Sequence, residues 1–169
     1  MRIALGFSVH TGWAAMVAVT RNAVVDRRRI VMNPDPSRFA YHAARDLSLR
    51  AAERHVAKAA ELARGNATAA LRAAVEEIGA VASAGILVSG RPLAASLETT
   101  LASHSLVHAA EGAMYREALR AACRTLGIRV ADVLRRDLAG APRIARPDGP
   151  PWGKDQRDAC AAARLALEA

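Results

Sequence analysis

Apolar residues alternate at the start of the chain, with Ile3, Leu5 and Phe7 separated by small or polar positions. That is the period of a strand that buries one face. His10, Thr11 and Gly12 form a tight turn, and Trp13 to Val19 reads as a returning strand. Arg21 and Asn22 turn the chain again into Ala23 to Met32, so a three-strand antiparallel meander is predicted. Asp26, Arg27, Arg28 and Arg29 interrupt the third strand, which suits an edge strand guarded by charge; phosphate contact is the competing reading of the arginines.

Beyond the break at Asn33 to Pro36 the apolar period changes to that of a helix. Ser37 stands where an N-cap is expected, and a long helix is predicted through Tyr41, His42, Leu49, Val56 and Leu62 to Gly65. Asn66 or Thr68 restarts a second helix that ends near Gly79. His42 and His55 share no helical stripe and read as ordinary helix residues. Ala80 to Val88 is an apolar run bounded by Gly79 and Gly90, as a strand buried on both faces would be. Ser89, Gly90 and Pro92 turn the chain, and a helix is expected to continue to Gly127. A brief strand at Ile128 to Ala131 and a Gly-, Pro- and Arg-rich loop from Asp137 to Pro151 follow. Asp155 then caps a terminal helix whose apolar face runs through Ala159, Ala162, Ala163 and Leu167.

Within the helix after Pro92, His104, His108, Glu111 and Tyr115 fall on one narrow stripe with Leu101, Leu119 and Leu126. Arg116, Glu117, Arg120 and Arg124 lie on the far side, so the polar cluster is expected to point inward. An unpaired carboxylate there would cost on the order of several kcal/mol, so Glu111 needs a partner or a pocket with water. His108, nearly one helical turn away, is the partner expected, beside the Ser8 to Thr11 turn. Three chemistries stay open for the stripe. One is a metal held by the HxxxHxxE spacing, a divalent ion being the cofactor such a helix would take. Another is acid-base or anion chemistry with His104, His108 and Glu111 as catalytic candidates and Ser8, His10, Thr11, Ser89, Arg91 and Tyr115 as ligand-binding candidates. The third is a buried hydrogen-bond network with a structural role.

Composition narrows this only in part. Of 169 residues, 52% are hydrophobic, enough for one domain, spanning 1–169, with a sizeable core. The net charge of +8 comes almost wholly from arginine, Lys58 and Lys154 being the two lysines. Its excess sits in residues 1–50 and 101–150 and points to nucleic acid or another anionic ligand as partner, although a GC-rich coding sequence also favours arginine. Cys123 and Cys160 are isolated thiols on predicted helices, which fits a reduced, cytoplasmic setting. His10, Gly12 and Trp13 interrupt the apolar start and argue against a signal peptide; a membrane partner is not expected, and a homo-oligomer stays open.

The order of three strands, helix, strand, helix, strand, helix resembles the ribonuclease H-like fold, and more narrowly the Holliday-junction resolvases and their relatives. Two short places carry the resemblance. GFSVHTGWA at 6–14 looks like the family's first hairpin, where a metal-binding aspartate leads into a Thr-Gly turn. KDQRDACAAA at 154–163 looks like its last helix, where two aspartates one turn apart, here Asp155 and Asp158, complete the metal site. The resemblance implies a three-layer α/β fold, a mixed sheet with the meander and helices on both faces. The departures are chemical: Ser8 stands where the family has its first aspartate, and the fourth strand ends in Ser89 and Arg91 where a glutamate is expected. Two-metal phosphodiester cleavage needs several carboxylates converging on the ions. The expectation is therefore a nucleic-acid or protein binding module that is not an intact nuclease. The alternative is an enzyme or small anionic-ligand binder using His104, His108 and Glu111.

Overall fold

The computed structural model describes residues 2–168. The hairpin signals act as expected: β1 (Ile3–His10) pairs antiparallel with β2 (Trp13–Val19), and β2 with β3 (Val24–Val31). Two parallel strands extend the sheet, β4 (Val81–Val88) against β1 and β5 (Arg129–Leu134) against β4. The order β3-β2-β1-β4-β5 puts β1 at the centre, β4 beside it and the charged β3 at an edge. The last strand is longer than the expected Ile128 to Ala131.

Each β3 arginine is engaged. Arg27 donates to the carbonyls of Asp148, Gly149 and Pro150, and Arg28 pairs with Asp26 at 2.6 Å and Glu77 at 2.8 Å. Arg29 lies over the Trp13 ring, 3.9 Å from its centroid. Their charge ties the edge strand to its surroundings.

Two helix boundaries differ from expectation. α1 (Ala40–Ala44) is short, and α2 (Leu49–Ile78) runs for 30 residues straight through Gly65. A glycine in an exposed helix costs only about 1 kcal/mol, which the packing of Ala63, Ala67, Leu71 and Ala74 offsets. Asn66 contributes too, donating to the Met32 carbonyl at the end of β3. Ser37 turns back to the Pro34 carbonyl at 2.8 Å and caps no helix. The helix expected after Pro92 is likewise two helices, α3 (Leu97–Ala102) and α4 (His104–Thr125), separated at Ser103, whose backbone is extended.

Strand alternation sorts the core into two layers. Ile3, Leu5, Phe7, Met16 and Ile86 meet Leu71 of α2 and Tyr115 and Leu119 of α4. Ala4, Val17 and Val19 meet Ala159 and Ala163 of α5 (Lys154–Glu168) on the opposite face. Helices therefore cover both faces of one mixed α/β sheet. The α5 layer is thin because small residues let backbones touch. A Cβ on Gly6 would lie 1.8 Å from the Ala159 carbonyl oxygen, and one on its register partner Gly85 would lie 2.3 Å from that of Ala162. No other residue fits those two positions. Cys123 and Cys160 are buried and unbridged, and burial pushes the Cys123 thiol up to about 12. Among the described residues no helix is long and apolar enough to cross a membrane.

Candidate functional site

The glycine seam sets α5 so that its first turn overhangs the end of β1. Ser8, fully buried, donates to Asp155 Oδ1 at 3.2 Å, and His10 Nε2 lies 2.9 Å from the same oxygen. His10 is held in turn by stacking on Trp13, with centroids 4.2 Å apart. Thr11 occupies the turn of this hairpin. Asp155 lies within the first turn of α5 rather than at its cap. Asp158 faces elsewhere, with Arg135 Nη1 2.6 Å and Lys154 Nζ 2.5 Å from Oδ2. Burial raises its pKa, and the hydrogen bonds to Lys154 and Arg135 outweigh that and leave it below the usual carboxylate range. The Ser8 to Thr11 hairpin thus meets the first turn of α5 through Ser8 and His10.

Arg135 joins this corner to a cleft of about 580 Å³ at the carboxyl ends of β4 and β5. Val88, Ser89, Gly90 and Arg91 form one wall, His108, Gly112 and Arg116 of α4 another, and Leu134, Arg135 and Arg136 the third. Ser89 Oγ accepts from the Arg91 backbone N–H at 3.4 Å. Arg116 is half-buried and, among the described residues, has no carboxylate within ion-pair distance. Burial, then the neighbouring Arg120 charge, lower its pKa. A guanidinium so placed gains from an anion that enters the cleft. Sequence reading brought Arg91 and Ser89 to this strand end; Arg116, assigned to the far side of its helix, and Arg135 and Arg136 were missed.

The histidine stripe divides. Glu111 and Tyr115 are fully buried, whereas His104 and His108 are exposed at the start of α4. Glu111 is paired with His42 of α1, its Oε1 3.0 Å from His42 Nδ1 and 3.4 Å from the His42 backbone N–H. His108 pairs instead with His104, Nε2 to Nε2 at 3.0 Å. The expected Glu111–His108 unit is therefore corrected to Glu111–His42, and His42 is no ordinary helix residue. Tyr115 donates to the Arg38 carbonyl at 2.6 Å, and burial pushes its hydroxyl up to about 12. One ring nitrogen from each of His42, His104 and His108 lies within 4.8 Å of the other two.

The architecture has known counterparts. A solved structure of Thermus thermophilus RuvC in complex with a Holliday junction substrate superposes with a TM-score of 0.55 over 96% of this chain and 90% of that one, at 11% identity. A second Thermus thermophilus RuvC structure gives 0.54 over 95% and 90%, at 12% identity. The fold is ribonuclease H-like. No protein-family model matches the chain, and no curated protein sequence does. The resemblance drawn from 6–14 and 154–163 thus holds for the architecture. In this ribonuclease H-like domain the hairpin and the last helix do converge, bringing Ser8 to Asp155, while Ser89 and Arg91 lie at the end of β4.

Proposed function

We propose that this ribonuclease H-like chain, a single domain over 1–169, binds nucleic acid through the arginine cleft and does not cut it by the two-metal route. The observation that carries the reading is the convergence of Arg91, Arg116, Arg135 and Arg136 on one cleft at the strand ends. Phosphate contacts by such side chains give sequence-independent affinity. The solved RuvC relative that contains a Holliday junction supports a branched DNA as the first ligand to try.

The donor set beside the cleft does not fit two divalent ions. A hydroxyl stands at Ser8, Asp158 is taken up by Lys154 and Arg135, and the end of β4 offers Ser89 and Arg91. Asp155 alone cannot neutralise the charge that two ions must share with attacking and leaving oxygens.

Fluorescence anisotropy with a labelled four-way junction, a duplex and a single strand tests the reading between about 50 and about 200 mM salt. Wild type is expected to bind with a negative log–log salt slope. Arg116→Glu with Arg136→Glu should weaken binding by roughly tenfold or more and flatten the slope by about 2. Equal binding by wild type and variant, or none at low salt, would sink the proposal. With magnesium or manganese no cut above background is expected; cleavage lost in Asp155→Asn would overturn the second half. A cleft of about 580 Å³ also suits a small anionic ligand. Pyrophosphate binding abolished by Arg116→Glu, without any nucleic-acid binding, would favour that reading.

A further inference from the structure

We propose that His42, His104 and His108 hold one transition-metal ion, zinc by preference, with Glu111 as the buried carboxylate that orients His42. The proposal does not depend on nucleic-acid binding, although the site borders the arginine cleft through His108.

Geometry comes first. His104 and His108 are four residues apart on α4, so both rings leave the same side of one rigid helix. Their Nε2 atoms are 3.0 Å apart, and the His42 ring closes the group with centroids 5.3 Å from His104 and 4.7 Å from His108. Tetrahedral zinc at about 2.0–2.1 Å from each nitrogen requires nitrogens about 3.4 Å apart. The observed limit of 4.8 Å is within reach of small ring rotations.

Glu111 supplies the second argument. Metal-bound histidines commonly give their other N–H to a carboxylate, which fixes ring orientation and raises the basicity of the ligating nitrogen. Here Glu111 occupies His42 Nδ1 and leaves Nε2 for the ion. The carboxylate is fully buried, and its Oε2 has no hydrogen-bond partner. A dication on the far side of the His42 ring provides the positive charge that such a group lacks.

The donor set selects the metal class. Three imidazoles suit zinc, copper or nickel and not magnesium or calcium, which take oxygen ligands. No fourth protein ligand completes the group among the described residues. Because His104 and His108 are exposed, the fourth position opens to water or to an anion, and His108 also lines the arginine cleft. The ion would pin α1 to the first turn of α4.

Isothermal titration calorimetry of zinc chloride into metal-stripped protein, purified without a polyhistidine tag, tests this. One ion per chain is expected. His104→Ala or His108→Ala, both at exposed positions that leave the core intact, should each weaken binding at least about a hundredfold, and Glu111→Gln by about ten- to a hundredfold. His55→Ala, outside the cluster, should bind as wild type does. Cobalt substituted for zinc should show the visible absorption of a nitrogen-ligated ion, lost in His108→Ala. Absence of zinc binding by wild type, or binding unchanged in His104→Ala and His108→Ala, overturns the site.

Discussion

On the α5 face of the sheet, the acidic groups are partly exposed and paired: Asp155 takes Ser8 and His10, Asp158 takes Lys154 and Arg135. On the opposite face one carboxylate, Glu111, is wholly buried with one half-exposed histidine and an oxygen left over. The first arrangement exchanges water for protein partners at little net gain, since ion pairs near solvent contribute about 0–1 kcal/mol. In the second, water cannot replace a lost partner, so a single removal is expensive. Depth decides what each charge is worth, and the two faces are expected to respond to substitution in different ways.

The strongest break should come at the seam that seats these paired carboxylates, not at the carboxylates themselves. In Gly6→Val the added side chain would enter at 1.8 Å from the Ala159 carbonyl oxygen, which only displacement of α5 relieves. We expect a loss above about 4 kcal/mol in urea denaturation, against about 1 kcal/mol or less for Asp158→Asn. Wild-type stability in the glycine variant would mean that α5 does not sit there.

A smaller effect separates the partners on the other face. His42→Ala leaves Glu111 buried without its partner and is expected to cost about 3 kcal/mol with a chelator present. Glu111→Gln keeps a hydrogen-bonding group against His42 and should cost about 1–2 kcal/mol. If the histidine variant proves the milder of the two, the carboxylate is better hydrated than its burial implies.

The smallest effect is a slope in pH. Tyr115 is held protonated up to about 12 by burial, while an unfolded tyrosine ionises near pH 10. Above pH 10 the unfolded chain therefore binds fewer protons than the folded one, and stability falls as pH rises toward 12. The share due to Tyr115 is on the order of 1–2 kcal/mol, and Tyr115→Phe should remove it, leaving the contributions of Tyr41, Cys123 and Cys160, which burial shifts in the same direction. An unchanged slope in Tyr115→Phe would show that the hydroxyl meets water.

Local pattern carried the strands well. The meander needed only alternation and two turns, and β4 only an unbroken apolar run, so β1 to β4 were readable to within a residue or two. Helix limits were harder because Gly65 looks like a stop, yet its cost is small beside the burial of four neighbouring positions in α2. The histidine stripe shows a different limit. A helical wheel fixes angle and says nothing of position along the axis, so Tyr115 and Glu111 were rightly placed inside while His104 and His108, at the open end of α4, emerge into solvent. His42 was out of reach for a third reason. Its partners come from another helix, and spacing within one helix cannot reveal them.

The Gly6 and Gly85 seam also has a kinetic meaning. Ser8 and Asp155 are 147 positions apart, so α5 docks only after a very long loop has closed, whereas the β1–β2–β3 meander can zip from its own turns. Contacts made last are those least formed in the folding transition state. Substitutions along the seam are then expected to quicken unfolding far more than they slow refolding, and the lifetime of the native state would be governed by how long α5 stays seated.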